Sequence, residues 1–402
     1  MDIGSGVIAG APDHDVHQTT QSVVAAINLR KHANLMTRPI RAEISLSALR
    51  HNYALAKSKA PRTKIFAVVK ANAYGHGFKR VATALHDADG FATLELDAAV
   101  QLRDAKIESP ILLLEGFFGE KELPTFVHQN FTSVVRDLEQ LKQITSATLA
   151  KPLDIFLKFN TGMNRLGLKG PLSGYAINMA ASHRNIGAVT LMTHFASADG
   201  EAGVAAQLAR FDDIVKLAKP VFGKKSFGQS VANSAALLRF PETHRDWARP
   251  GIMLYGSSPF ADVSAEWLGL KPVMALRSEI IGVQALDVGD SVGYGGVYTA
   301  KKKMRVGIVA CGYADGYPRH APGGNHEGTP VIVSGKRSRT IGRVSMDMLA
   351  VDLTDMPHVH MGAPVTLWGE GLSADEVAAA SGTVAYELFC AVAPRVPMAE
   401  VD

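Results

Sequence analysis

Ile65-Phe-Ala-Val-Val-Lys-Ala-Asn-Ala-Tyr-Gly-His-Gly77 joins a five-residue apolar run to a single lysine, Lys70, and then to a turn containing two glycines. An unbroken apolar run of this length reads as a strand covered on both faces. That is the strand of parallel α/β architectures, where chemistry gathers at the C-terminal ends. Lys70 stands at that end. A lysine there ordinarily extends its ammonium into water. Here Tyr74 adds a hydroxyl four residues on, while Gly75 and Gly77 permit close backbone approach to a ligand. Together these residues read as a cofactor cradle, and His76 reads as structural.

Outward from this stretch, apolar runs recur with helix-length spacers between them. They are Ile65–Val69, Phe91–Leu94, Ile111–Leu114, Thr132–Val135, Asp154–Phe159, Val189–His194, Phe227–Ala232 and Arg249–Leu254. Helical stretches at Ala48–Lys59, ended by Pro61, and at Glu95–Ala105 and Ala205–Leu217 alternate with them. This predicts an α/β chain with an N-terminal (β/α)8 TIM-type barrel that closes near residue 260. Beyond about residue 270 the texture changes to strands and glycine-rich turns, at Arg277–Val283, Arg305–Val309, Val331–Val333, Met348–Leu353 and Val365–Trp368. A C-terminal, mainly-β domain follows from that change. Within it, Ser373-Ala-Asp-Glu376 is a capping box ahead of a helix, which puts Tyr386 in the connection after it. The expected domains are 1–35, a disordered N-terminal extension, 36–265, the barrel, and 266–402, the β domain.

A length of 402 residues fits two domains better than one core. With 20% charged and 47% hydrophobic residues the composition is that of a globular protein, and no apolar stretch reaches the ~20 residues of a membrane span. The net charge of +4 is spread along the chain without a basic patch interleaved with aromatics, so nucleic acid is not an expected partner. Cys311 and Cys390 are expected as two buried thiols in a reducing compartment. Residues 1–35 lack a basic segment followed by a sustained apolar one, so they do not read as a secretion signal. The cluster Asp13-His14-Asp15-Val16-His17 reads as a solvated tail, and no metal site is assigned.

Two loops add to the cradle. Asn233-Ser234-Ala235 follows the seventh run and Arg249-Pro-Gly251-Ile252 opens the eighth, the positions at which barrels commonly hold phosphate. The Lys70 segment closely resembles the pyridoxal-phosphate lysine motif of the bacterial alanine racemases, and further matches follow in that family's order across about residues 36–400. The resemblance implies a pyridoxal 5′-phosphate enzyme of fold type III, an isomerase, that interconverts L- and D-alanine in the cytoplasm. D-Alanine then serves peptidoglycan or alanine catabolism. It assigns phosphate binding to Tyr74, Ser234, Gly251, Ile252 and Tyr386 beside Asn233. Arg249 goes to the cofactor's pyridine nitrogen, and His194 lies against the ring, hydrogen-bonded towards Arg249. An arginine can only donate there, which weakens the ring as an electron sink and favours proton exchange over transamination.

The resemblance also implies two catalytic bases, Lys70 for the D-isomer and Tyr294 for the L-isomer, with Tyr294 reaching a neighbouring subunit's site in a homodimer. A free tyrosine titrates at about 10, so that role calls for positive neighbours. Arg165, Met346, Asp347 and Tyr313 are implied substrate-binding residues, and Arg319 lines the access channel. Lys158 matches a position carbamylated in many members, while Asn160 stands where many relatives have Asp. Two rival readings use the same lysine. A racemase of broader amino-acid specificity is one. A barrel-type amino-acid decarboxylase is the other, although it would be expected to set a carboxylate where Arg249 stands. A non-catalytic carrier of the cofactor lacks the domain after residue 270.

Overall fold

The structure, a computed structural model, describes residues 38–402. The 1–35 extension and its Asp/His cluster lie outside the described residues. The first strand, β1 (Arg41–Ile44), pairs antiparallel with β10 (Met274–Leu286) and parallel with β18 (Met398–Glu400). It is therefore part of the C-terminal sheet although it precedes the barrel in the chain. Ser45 then caps the helix Leu46–Lys59, its hydroxyl accepting the Ala48 amide at 3.0 Å, and this helix delivers the chain to the barrel.

The barrel is closed, with parallel strands in sequential order: β2 (Lys64–Val68), β3 (Gly90–Thr93), β4 (Ile111–Leu113), β5 (Phe131–Val135), β6 (Leu153–Lys158), β7 (Ile186–Met192), β8 (Gly228–Ser230) and β9 (Trp247–Ala248). Burial on both faces produces the unbroken apolar runs: every residue of Gly90–Thr93 and Ile111–Leu113 is buried. The eighth strand differs from its expected span. It is Trp247–Ala248, and Ile252–Tyr255 curls into a 3₁₀ turn. Pro250 has no N–H to extend a ladder, and the Gly251 amide turns to Ser234 Oγ at 2.9 Å. Trp247 instead closes the barrel floor by stacking on Phe66, with ring centroids 4.0 Å apart.

The second domain is the expected β structure. Its strands are β10, β13 (Met304–Val309), β16 (Leu349–Asp352), β15 (Lys336–Ile341), β14 (Pro330–Val333) and β17 (Pro364–Trp368), and the β13–β10 pairing returns the order to β10. A short hairpin, β11 (Ser291–Val292) with β12 (Tyr298–Thr299), projects from it and carries Tyr294 in its turn. Ser373 caps the helix Ala374–Ala380, accepting the Glu376 amide at 3.1 Å as expected. Tyr386, expected in the connection, lies in a further helix, Ala385–Ala391. One hydrophobic core runs from the barrel strands through Tyr255, Tyr317 and Trp368 into the second domain. Among the described residues no helix is long and apolar enough to cross a membrane.

Candidate active site

Lys70 follows β2 at the C-terminal mouth of the barrel, and the next four residues take an unusual path. Ala71, Asn72, Ala73 and Tyr74 have φ of 52°, 52°, 56° and 52°, a left-handed turn built without glycine. Each such residue costs roughly 1–2 kcal/mol, so the turn persists only because its surroundings hold it. The Ala73 amide donates to the Val69 carbonyl at 2.9 Å, the Gly77 amide to the Asn72 carbonyl at 3.1 Å, and the Phe78 amide to Asn72 Oδ1 at 2.8 Å. Gly75, at φ 77°, ends the turn; a Cβ there would meet the Phe389 carbonyl oxygen at 2.0 Å. Its close approach is thus to the helix bearing Tyr386, where the sequence suggested a ligand. His76 is buried between Tyr255 and Phe389, and burial pushes its imidazole down to about 4.

Around Lys70 lies a cavity of about 580 Å³. Of the residues picked from sequence, Tyr74, Lys158, Arg165, His194, Asn233, Ser234, Arg249, Gly251, Ile252 and Tyr386 line it together with Lys70. One corner gathers donors. Asn233 caps the helix Ser234–Arg239 through the Ala236 amide at 3.0 Å, which sets the Ser234 hydroxyl facing the Gly251 amide. A Cβ at Gly251 would meet the Tyr74 hydroxyl at 2.3 Å, so only glycine leaves this corner open. Tyr74 stacks on Tyr255 with centroids 4.7 Å apart, and Tyr386 tilts against it at 6.0 Å. Burial raises the Tyr74 phenol above its ordinary range and pushes that of Tyr386 up to about 12, so both stay protonated donors.

The opposite wall is cationic. Arg249 is buried and held by neutral acceptors: Nη1 donates to Ser230 Oγ, and Nη2 to the Thr193 carbonyl at 2.7 Å. The arginine therefore grips the backbone just before His194, in place of the expected bond to the ring. Burial brings its guanidinium down to about 10, still charged near neutrality. His194 is held well below its usual range by burial and then by Arg249, Lys158, Arg165 and Lys70, which keeps the imidazole neutral among four cations. Lys158, the last residue of β6, is lowered to about 8 by burial, then by Arg249 and Arg165, with Glu115 opposing. Asn160 organises the Arg165 loop: its side-chain Oδ1 accepts the Gly162 and Asn164 amides, each at 3.0 Å.

Tyr294, Tyr313, Met346 and Asp347 do not line this cavity. Tyr294 stands 68% exposed and Met346 53% exposed on the second domain. They form their own group: the Tyr313 amide donates to the Ser345 carbonyl at 3.0 Å, and a Cβ at Gly295 would meet Arg343 at 2.9 Å. Sequence reasoning missed Glu115 and Asp199, both cavity-lining carboxylates, and Met163 and Phe195 among its apolar walls. The run ending at Leu114 placed Glu115 at a strand end, a signal that was available; the others become neighbours only through barrel closure. The cysteines expected as a buried pair divide: Cys311 is buried, whereas Cys390 is an exposed thiol on the cavity wall.

The family described as alanine racemase, N-terminal domain, matches residues 44–259, and that described as alanine racemase, C-terminal domain, matches 273–400. The alanine racemase of Nitrosomonas eutropha is 49% identical over 91% of this chain and 100% of its own. The catabolic alanine racemase of Salmonella typhimurium is also 49% identical, over 90% of this chain and 99% of its own. The biosynthetic alanine racemase of Pseudomonas aeruginosa superposes with a TM-score of 0.85 at 48% identity, covering 91% of this chain and 100% of that one.

Proposed function

The chain belongs to the alanine racemase family, and from that premise we propose that its pocket works with pyridoxal 5′-phosphate and two bases, Lys70 and Tyr294. It is an isomerase, a racemase interconverting L- and D-alanine. What supports the cofactor is the fit of the residues: one lysine at the mouth, a corner of four donor groups around Ser234, Gly251, Tyr74 and Tyr386 that a Cβ would fill, and a buried arginine opposite. Bound there, pyridoxal phosphate supplies an electron sink that acidifies the Cα–H bond of an amino acid joined to it.

The chain's own residues do the rest. The Ser234 and tyrosine hydroxyls and the Gly251 and Ile252 amides hold the phosphate as donors. Arg249 can only donate a hydrogen bond, so at the ring nitrogen it would leave that atom an acceptor and restrain the electron sink, favouring proton return at Cα over transamination. Lys70 takes the Cα proton from D-alanine and returns one to that face; Tyr294 does the same on the opposite face for L-alanine. Arg165 and the Met346 amide receive the substrate carboxylate, with Tyr313 and Asp347 alongside.

Tyr294 is exposed and outside its own cavity, which supports a homodimer in which each second domain completes the neighbour's site. Lys158, buried and with its amine brought down to about 8, suits carbamylation: its neutral nitrogen adds to carbon dioxide, a proton leaves, and the resulting anion orients Arg165. The protein is placed in the cytoplasm, making D-alanine for peptidoglycan or drawing it into catabolism. The carrying observation is the convergence of Lys70, Tyr74, Ser234, Arg249 and Tyr386 on one cavity. The test is solvent-deuterium exchange at Cα of L-alanine, read by proton NMR with chiral analysis of product. Deuterium incorporation with accumulating D-alanine is expected, and absence of exchange with cofactor bound refutes the assignment.

A further inference from the structure

Arg395 follows the helix that carries Tyr386, and its guanidinium spans two other segments. Nε donates to Asp315 Oδ1 at 2.7 Å and Nη2 to Asp347 Oδ1 at 2.6 Å. Asp315 is fully buried, and its second oxygen accepts the Gly312 amide at 2.9 Å. The same aspartate's carbonyl accepts the Ala393 amide at 3.1 Å. The turn and the loop that Arg395 joins are themselves in backbone contact. The Tyr313 amide donates to the Ser345 carbonyl at 3.0 Å and the Ala314 amide to the Met346 carbonyl at 2.9 Å. A Cβ on Gly312 would meet the Met346 carbonyl oxygen at 2.4 Å.

We propose that Arg395 is a positioning residue whose fork sets the Tyr313 turn and the Met346–Asp347 loop in the register that receives the substrate carboxylate of the neighbouring subunit. The proposal rests on the reading of those three residues as substrate-binding in a shared site. Its consequence is structural coupling: one short C-terminal segment puts Tyr386 into its own cavity and, a few residues later, fixes the loop lent to the other. Arginine suits the task because two donors of a planar fork reach two carboxylates at once, which a single ammonium on a flexible stem does not reproduce. Met346 presents a backbone amide, so no side-chain change could tune it. Tuning comes through what holds the loop, and beside the backbone bonds to Tyr313 and Ala314 the Arg395 fork is a side-chain tie between the turn and the loop.

The test is steady-state kinetics of Arg395→Gln holoenzyme. A loop displaced by a fraction of an ångström is expected to raise KM for alanine about tenfold or more, with kcat within about twofold and an unaltered visible absorbance of bound cofactor. Arg395→Lys should recover only part of the affinity. Arg395→Gln removes the guanidinium that meets the buried Asp315 and risks misfolding; Asp347→Asn, which keeps the Arg395–Asp315 pair, is the second variant and should raise KM less. Unchanged KM in both overturns the proposal.

Mixed dimers separate this inference from the shared-site reading. With Lys70→Ala on one chain, one site remains. Arg395→Gln on the Lys70→Ala chain should raise KM, and on the lysine-bearing chain should leave it unchanged. The reverse pattern overturns the proposal, whereas mixed dimers of Lys70→Ala and Tyr294→Phe chains that stay inactive overturn the shared site itself.

Discussion

Lys158 and Arg249 are 7% and 5% exposed at the barrel mouth, whereas Tyr294 and Met346 stand 68% and 53% exposed on the second domain. The barrel half of the site is finished within one chain. Lys158 and Arg249 are buried, the arginine is held by Ser230 and Thr193, and the phenols of Tyr74 and Tyr255 stack. The second-domain half is held just as firmly in its backbone, through Gly312, Ala314 and Arg395, but presents its side chains outward. Buried polar groups mark a site by the strain and desolvation they tolerate. On the proposed sharing between subunits, the second-domain half carries no such mark; its signature is an ordered loop with exposed side chains.

The strongest way to break this contrast is to disable the halves separately. Lys70→Ala should abolish racemisation. Tyr294→Phe should retain the absorbance of bound cofactor while losing about 10²–10⁴-fold in turnover, the usual contribution of a positioned acid or base. Exchange of subunits between the two inactive variants should restore activity to about a quarter of wild type, since half the dimers then carry one intact site. A mixture that stays inactive would place both bases in one chain and remove the distinction.

Arg249 tests the barrel half alone. Arg249→Glu replaces a group that can only donate with one that can hold a proton on the ring nitrogen. Racemisation should fall by about two orders of magnitude, and transamination should rise relative to it. Stoppered assays that count pyruvate against D-alanine read the ratio directly. An unaltered ratio would reduce Arg249 to a packing residue.

Lys158 gives a pH-dependent reading of the same cluster. Its amine, lowered to about 8, is protonated below that pH and neutral above it. At fixed dissolved ¹³C-labelled carbon dioxide, a carbamate ¹³C signal should grow as pH rises through about 8 and be missing in Lys158→Met. Growth only above pH 10 would mean that neither burial nor the neighbouring cations lower the Lys158 amine.

Much of this contrast was legible in the sequence, for physical reasons. Most barrel strands are buried on both faces and so wrote an apolar run; β8, Gly-Gln-Ser and partly buried, owes its place to the flanking Phe227 and Val231-Ala232, and Trp247–Ala248 hid behind the apolar turn Ile252–Tyr255. Strand β15, Lys336-Arg-Ser-Arg-Thr-Ile341, lacks an apolar run because its first four residues meet water and only Thr340 and Ile341 are buried; pairing with β14 and β16 makes it a strand. Lys70, Ser234 and Arg249 stand at strand ends, where local sequence predicts position. Glu115 stands at a strand end, where a local signal existed, whereas Asp199 and Cys390 reach the cavity through tertiary closure, for which none does. The assignments of Tyr294, Tyr313, Met346 and Asp347 rest on family resemblance, and the kinetic tests above decide them.

Beneath the barrel site, His76 ties stability to pH. Its folded value of about 4 lies below the ordinary 6.5. Between those values the unfolded chain binds a proton that the folded one refuses, so stability is complete above pH 6.5 and declines as pH falls to 4. The loss is about 3 kcal/mol at most. His76→Phe keeps a ring between Tyr255 and Phe389 and should flatten urea-denaturation stability over that interval. The slope should persist if acid sensitivity arises elsewhere.

The smallest expected effect separates strain from packing. Ala71, at φ 52° beside Lys70, is held left-handed; glycine relieves roughly 1–2 kcal/mol there while adding about 0.5–1 kcal/mol of unfolded-state entropy. Ala71→Gly should therefore stabilise the apoprotein by about 0.5 kcal/mol in urea, yet slow turnover, because the lysine is less firmly aimed. Ser334, at φ 48° in the β14–β15 hairpin, is the control in the other region: Ser334→Gly should stabilise by a similar amount and leave turnover unchanged. If Ala71→Gly instead destabilises, the Lys70 turn is a packing solution like any other, and the barrel half differs from the second domain by burial alone.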